Sequence, residues 1–212
     1  MLTVSPSGVV RLPTVAVLGD SLAVSPSLDA SFPAVLQRRL DAEGLRWRVV
    51  NAGHNGDTTA QGLARLDQVL ASEPQILVLS LGANDGLRGV PVETVRAQLD
   101  SIIRRALGRA GDRTGSSVSS RVARVLLCGM ETPPLRGWPY TAAFHDIYPG
   151  LARVHQVPLV PFLLTGVVGE RTLNLRDMVH PNAAGAQRIA ETVWPYLVPM
   201  LAEWPWQPRS QS

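Results

Sequence analysis

Short apolar runs alternate with longer amphipathic segments along the whole chain. Five of the runs are rich in Val, Ile and Leu and have the length of buried β-strands. The segments between them carry apolar residues at helical spacing, and parallel strands need such long crossovers. The pattern therefore predicts an α/β protein in which helices cover both faces of a five-stranded parallel sheet. The predicted strands are 15–18, 47–51, 76–81, 122–128 and 157–162, and the predicted helices are 32–40, 58–70, 92–107, 140–154 and 183–201.

The 212 residues fit a single domain, because no Gly/Ser-rich or Pro-rich linker divides them into comparable halves. Three segments lie outside the regular alternation: an N-terminal lead at 1–14, a polar stretch at 110–120 and a C-terminal tail at 202–212. The stretch at 110–120 is longer than an ordinary helix-to-strand connection, so we expect an exposed insertion. The tail contains Trp204 and Trp206, which either pack against the body or contact a partner.

Composition and charge narrow the possible partners. With 45% hydrophobic and 17% charged residues, the chain can bury a sizeable core and form a pocket. The net charge is +3 and every basic residue is an arginine. These arginines are scattered, without a basic stripe or interleaved aromatic residues, so no nucleic-acid partner is expected.

Neither a secretory leader nor a membrane anchor is visible in the sequence. The first fourteen residues lack a basic region followed by a long apolar run, and no apolar stretch approaches the roughly 18 residues that span a bilayer. The one cysteine, Cys128, cannot form an intramolecular disulfide, so the fold does not depend on an oxidising compartment. The chain as given is predicted to be soluble and cytoplasmic unless a signal peptide has been removed, and its oligomeric state stays open.

Polar, glycine-marked clusters follow the predicted strands. In an open parallel sheet, reactive groups collect at the carboxyl ends of the strands, where the crossovers diverge and leave a crevice. We therefore expect these clusters to share one edge of the sheet. They are the segments 19–21, 53–57, 82–86 and 177–180.

The four clusters contain the groups that acyl transfer needs. A serine hydroxyl becomes a good nucleophile when a base accepts its proton, and His180 is the best placed base for Ser21. Asp177 can hold the other ring nitrogen, because a separation of three residues lets both side chains meet on one side of a turn. Pro181 disfavours helical geometry at His180 and suits the first position of the following helix. For the oxyanion of the tetrahedral intermediate, the candidate donors are the backbone N–H groups of Ser21 and Gly56 and the Asn84 amide.

Four blocks of sequence carry a family resemblance. They are LGDSL at 18–22, NAGHNGDTTAQGLARL at 51–66, LGANDGLRG at 81–89 and DMVHPN at 177–182. In this order and spacing the chain resembles the SGNH/GDSL hydrolases, and among them the bacterial arylesterase, thioesterase I and lysophospholipase L1 group. The resemblance implies a flavodoxin-like three-layer α/β/α sandwich, a catalytic triad of Ser21, Asp177 and His180, and no metal or organic cofactor. It also implies an oxyanion hole formed by Ser21, Gly56 and Asn84.

The function expected from these features is hydrolysis of short- to medium-chain carboxylic esters, and of acyl thioesters, through an acyl-serine intermediate. A small-molecule acyl donor is then the partner. An apolar rim is expected to line its pocket, with Met130, Pro133, Trp138 and Leu164 as the candidate contacts.

Other functions stay open at this point. A carbohydrate O-acetyl esterase would use the same machinery, and a non-catalytic flavodoxin-like binding module would keep the fold alone. Nucleotide binding is disfavoured, because no phosphate-binding glycine motif follows a predicted strand. A carboxylate-rich metal hydrolase is a further alternative, since hard cations bind oxygen ligands. Its ligands would be Asp20, Asp57, Asp85 and His180.

Overall fold

One parallel sheet organises the part of the chain that this computed structural model describes, residues 12–108 and 124–203. The strands within these residues are β1 (Thr14–Gly19), β2 (Arg48–Gly53), β3 (Ile76–Ser80), β4 (Arg124–Cys128) and β5 (Leu159–Val160). Their order across the sheet is β2-β1-β3-β4-β5, and every neighbouring pair is parallel. This is the doubly wound order of flavodoxin-like folds, so the predicted fold class is confirmed.

The burial of the strands explains why they occur in the sequence as continuous apolar runs. Every residue of β1 and β3 is buried, because both strands lie inside the sheet and are covered on both faces. The edge strand β2 is only partly covered. β5 is shorter than the predicted 157–162: prolines, which lack the N–H that a ladder needs, stand on both sides of it at Pro158 and Pro161.

Helices pack on both faces of the sheet. α1 and α8 contact each other, whereas α2, α5 and α7 form another connected set, so the described residues build a three-layer sandwich. The helix predicted at 58–70 is interrupted at Arg65 and the one at 140–154 at Asp146. The short helix α4 was not predicted. The helices are α1 (Phe32–Ala42), α2 (Thr59–Ala64), α3 (Leu66–Leu70), α4 (Ala83–Arg88), α5 (Val92–Ala106), α6 (Trp138–His145), α7 (Ile147–His155) and α8 (Ala183–Ala202).

Some predictions concern residues that the structure does not describe. The insertion at 110–120 lies wholly outside the described residues, as do most of the N-terminal lead at 1–14 and of the tail at 202–212. In the described part, every helix is too short or too polar to cross a lipid bilayer.

Candidate active site

Ser21 stands directly after the carboxyl end of β1. The strand ends at Gly19, and Ser21 opens a short 3-10 helix that runs to Ala23. The Asp20 carboxylate accepts the Leu22 N–H at 2.9 Å and so caps this turn. A Cβ atom at position 19 would lie 2.8 Å from the Cβ of Ala23, so the tight turn requires glycine there. The hydroxyl is thereby held at the crevice edge of the sheet.

His180 and Asp177 meet within one turn after β5. One carboxylate oxygen of Asp177 accepts the backbone N–H groups of Val179 and His180, each at 3.0 Å. The other carboxylate oxygen lies 2.7 Å from His180 Nδ1. The His180 N–H and imidazole, followed by the Val179 N–H, hold the pKa of Asp177 well below its usual value. Asp177 therefore stays ionised and can stabilise a positive charge on the imidazole.

The loop that carries His180 is closed by backbone contacts rather than by the start of a helix. Asn174 and Pro181 form an isolated antiparallel bridge, and the Leu175 N–H donates to the His180 carbonyl at 2.8 Å. The expectation that Pro181 begins the next helix was wrong. Asn182 is the cap, and α8 begins one residue later, because the Asn182 side chain accepts the N–H groups of Ala184 and Gly185.

The fold brings Ser21 and His180 into hydrogen-bond contact across 159 positions of sequence. Ser21 Oγ lies 3.0 Å from His180 Nε2. If Nδ1 carries the ring proton and donates it to Asp177, Nε2 is left as an acceptor for the serine hydroxyl. The three predicted residues thus form one hydrogen-bonded chain in the order Asp177, His180, Ser21.

The other two predicted residues, Gly56 and Asn84, lie on segments that hydrogen bonds of Asn84 connect to each other and to the residue before Ser21. Gly56 has φ +78° in a turn that closes from Asp57 N–H to His54 carbonyl at 3.3 Å, a conformation that favours glycine. Asn84 lies in the first turn of α4, and its Nδ2 donates to the Asp57 carbonyl at 3.0 Å. The same nitrogen is 3.5 Å from a carboxylate oxygen of Asp20, the residue before Ser21. Asn84 therefore connects the serine loop to the Gly56 loop.

Arg65 is a supporting residue that the sequence analysis missed. Its guanidinium bonds the Asp57 carboxylate at 2.6 Å and the backbone carbonyls of Ala52 and Gly19 at 2.6 and 2.8 Å. These contacts join the ends of β1 and β2 to the Gly56 loop. The helical pattern of 58–70 made Arg65 look like an ordinary surface residue, although it lies within the second family block.

The three aspartates of the crevice act as hydrogen-bond acceptors within it. Asp20 caps the serine turn and Asp57 pairs with Arg65. Asp85 accepts the Thr59 N–H at 2.9 Å and the Thr59 hydroxyl at 2.7 Å. Across residues 12–108 and 124–203, no group of three His, Cys, Asp or Glu side chains is arranged to hold a metal ion.

Burial makes Asp20 sensitive to pH. Desolvation, opposed by the Leu22 N–H and reinforced by the negative charges of Asp85 and Asp57, raises the pKa of Asp20 to about 7 from its usual 3.8. The folded state therefore keeps a proton that the unfolded state releases above pH 3.8. The stability that Asp20 contributes in its protonated form is therefore fully present below pH 3.8 and is lost as the pH rises to about 7.

Asp20→Asn is expected to remove this loss. The measured quantity is the difference in free energy of unfolding between the variant and the wild type, from urea denaturation. Between pH 4.5 and 6.5 this difference should rise in favour of the variant by about 1.4 kcal/mol per pH unit. The exposed Asp29→Asn is the matched control and should leave the difference flat. Parallel pH profiles for wild type and Asp20→Asn would contradict the assignment of a buried, protonated carboxyl.

The predicted pocket residues differ in how far they are exposed to solvent. Met130 is only 2% exposed and belongs to the core, so its contact with a substrate stays a prediction. It lies two residues after the end of β4 and packs with the core cluster. Leu164 is half-buried against the core, whereas Pro133 and Trp138 are exposed.

A parallel α/β sheet with a Ser–His–Asp hydrogen-bond chain at the carboxyl edge of its strands is an arrangement typical of serine hydrolases. The chain belongs to the GDSL-like Lipase/Acylhydrolase family, whose family model matches residues 17–188. The family resemblance inferred from the four sequence blocks is thereby confirmed.

Curated relatives and a solved structure agree with this membership. The chain is 41% identical over 191 residues to esterase TesA of Pseudomonas aeruginosa, covering 89% of each chain. It is 34% identical over 191 residues to the thioesterase 1/protease 1/lysophospholipase L1 of Escherichia coli K12, covering 89% of this chain and 85% of that protein. A crystal structure of TesA superimposes with a TM-score of 0.78 at 38% identity, over 88% of this chain and 99% of that one.

Proposed function

We propose that this chain hydrolyses carboxylic esters, and acyl thioesters, with Ser21 as nucleophile, His180 as base and Asp177 as the residue that orients the base. The observation that carries the proposal is the hydrogen-bond chain with 2.7 Å between Asp177 and His180 and 3.0 Å between His180 and Ser21. Family membership and relatives named as an esterase and a thioesterase support it. The partner is accordingly a small-molecule acyl donor.

The geometry suits a two-step acyl transfer. Ser21 Oγ attacks the carbonyl carbon while its proton passes to His180 Nε2, and the imidazolium that forms faces the ionised Asp177. When the tetrahedral intermediate collapses, its bond to the leaving alcohol or thiol breaks and His180 returns the proton to that group. Water then attacks the acyl-serine with His180 again as base, which releases the carboxylic acid and restores the Ser21 hydroxyl.

Three donors are proposed for the oxyanion: the Ser21 and Gly56 N–H groups and the Asn84 amide. The 3.0 Å bond to the Asp57 carbonyl uses one N–H of Asn84 and fixes the plane of its amide. The contact of the same nitrogen with Asp20 is long, at 3.5 Å, and a substrate oxygen would replace it. A donor held in place before the reaction costs no reorganisation when the negative charge forms.

Asn84→Ala is expected to lower kcat by about 10²- to 10³-fold with a smaller change in KM, because the lost donor acts on charge that develops in the transition state. Steady-state kinetics on a nitrophenyl ester measures this. The control is Gln187→Ala, which removes an exposed amide from α8 and should leave kcat as it is. An Asn84→Ala enzyme with wild-type kcat would exclude Asn84 from the oxyanion hole.

A substrate panel tests the function itself. It comprises nitrophenyl esters and acyl thioesters of graded chain length together with an acetylated sugar, with a fluorophosphonate probe and peptide mass mapping to identify the modified serine. Hydrolysis of esters and thioesters with labelling of Ser21 is the expected result. Turnover of the acetylated sugar alone would favour the O-acetyl esterase alternative. No turnover and no labelling would leave a non-catalytic binding module.

A further inference from the structure

Two arginines from different loops stand together on the rim beside Gly56. Arg88 lies at the end of α4, and its Nη2 donates to the Gly56 carbonyl at 3.0 Å. Arg136 lies in the 3-10 helix Pro134–Arg136 after β4, and its Nη2 donates to the Arg88 carbonyl at 3.1 Å. A Cβ atom at Gly89 would lie 2.9 Å from Cζ of Arg136, so this guanidinium rests directly on the Arg88 loop.

Both guanidinium groups are fixed by a hydrogen bond and still have N–H donors that this bond does not use. Each is held by a hydrogen bond to a backbone carbonyl, which restricts the position of a side chain that would otherwise move freely. A guanidinium carries five N–H donors in a planar fork, and one anchoring bond leaves the others for a ligand. Both residues are exposed, so a ligand can reach them.

The two guanidinium groups lack a direct carboxylate partner in the described part of the chain. Within residues 12–108 and 124–203, neither Arg88 nor Arg136 forms an ion pair, whereas arginines such as Arg65 and Arg105 are paired with aspartates. Asp57 is paired with Arg65, and Asp85 interacts electrostatically with Arg88 but accepts its hydrogen bonds from Thr59. The rim beside the proposed oxyanion hole therefore presents two guanidinium groups, and the charge of Arg88 is only partly offset, by Asp85.

The rim also offers apolar surface next to this charge. Leu135 is 75% exposed and Trp138 is 74% exposed, and both flank Arg136 in the chain. Adjacent exposed apolar side chains offer contact area for the apolar part of a ligand whose charged group binds the arginines. The anchoring bond of Arg88 goes to the carbonyl of Gly56, whose N–H is a proposed oxyanion donor.

We infer that Arg88 and Arg136 form a subsite for a negatively charged group of the substrate, a carboxylate, sulfonate or phosphate a few bonds from the scissile carbonyl. The inference rests on the proposed ester hydrolysis and adds the substrate class: anionic, amphiphilic esters should be preferred over neutral ones of the same shape. Bidentate, charge-assisted hydrogen bonds to the planar guanidinium groups would supply the preference. Leu135 and Trp138 would contact the apolar part of the same substrate.

A matched pair of esters tests the subsite. The probes are 3-(butanoyloxy)-4-nitrobenzoate and the corresponding 4-nitrobenzamide, which share the acyl group and the scissile bond and differ in the negative charge. The measured quantity is the ratio of kcat/KM for the carboxylate to that for the amide. For the wild type this ratio should be about 10 at low ionic strength and should fall towards 1 at high salt.

The variants Arg88→Gln and Arg136→Gln should each lower that ratio about threefold, and the double variant should bring it near 1. Arg153→Gln is the control, because it changes the net charge by the same amount as each single variant. Arg153 is exposed in the last turn of α7, which leads to the amino end of β5 and not to the carboxyl edge that holds the site. Thermal unfolding of all variants checks that they are folded.

Other results would overturn the inference. A wild-type ratio near 1, or an equal fall in the ratio for Arg153→Gln, would mean that no local anion subsite exists. If Arg88→Gln lowers kcat/KM for both esters equally, Arg88 only holds the Gly56 loop and binds no anion. If neither ester is hydrolysed faster than by Ser21→Ala, the proposed function fails and the subsite fails with it.

Discussion

Ser21→Ala is expected to lower kcat for a nitrophenyl ester by about 10⁴- to 10⁶-fold, the range found when the nucleophile of a serine hydrolase is removed. The reason is that His180, which lies 3.0 Å from the Ser21 hydroxyl, then has no hydroxyl to deprotonate, so no acyl-enzyme can form. The remaining activity would come from binding and from the oxyanion donors. Burst and steady-state kinetics, together with the fluorophosphonate label, measure the loss directly.

The control for this change is Ser27→Ala. Ser27 is exposed, caps a short 3-10 helix without a side-chain hydrogen bond, and lies six positions further along the same connection. It should keep wild-type kcat and wild-type labelling. Full activity in Ser21→Ala, with the protein folded by circular dichroism, would end the proposed mechanism.

His180→Gln is expected to lower kcat by a similar factor, because the base that activates Ser21 is lost while the volume of the side chain is roughly kept. The effects should not multiply: the Ser21→Ala/His180→Gln double variant should be no slower than either single variant, since the two residues act as one unit. Labelling of Ser21 by the fluorophosphonate should also slow in His180→Gln, which reports on nucleophile activation independently of turnover.

A second histidine–carboxylate pair supplies the control for His180. His145 Nδ1 lies 2.6 Å from the Glu131 carboxylate on the surface, and this contact raises the pKa of His145. His145→Gln breaks a pair of the same chemistry that does not contact Ser21, so kcat should be retained. If His145→Gln were as slow as His180→Gln, the assignment of His180 as the base would be wrong. The same holds if the separate losses of Ser21→Ala and His180→Gln multiply in the Ser21→Ala/His180→Gln double variant.

The central part of the architecture could be predicted because its signals are local. β1 and β3 are buried on both faces, so their sequences are uninterrupted apolar runs that need no tertiary information to recognise. Parallel strands oblige each run to be followed by a crossover, and the carboxyl ends then share one edge. That topological rule is the reason why Ser21 and His180, remote in sequence, were expected to meet.

Features that depend on contacts distant in sequence were not predictable. β5 is cut to two residues where prolines end its ladder, and Arg65 interrupts a helix whose apolar periodicity continues through it. The burial of Asp20 follows from what packs over the turn, which a Gly-Asp-Ser sequence does not reveal. Met130 was expected on an apolar rim because of its apolar side chain, yet its burial in the core cluster depends on contacts distant in sequence.

The 159 positions between Ser21 and His180 have a consequence for biosynthesis. A ribosome adds the nucleophile well before the base, and the loop that presents the base leads into the Asn182 cap of α8. The emerging polypeptide therefore carries an inert hydroxyl until His180 has been added, and reactivity begins only when the loop before α8 has docked. Release of a chromogenic phenol during cell-free translation would for this reason report the arrival of fully folded molecules.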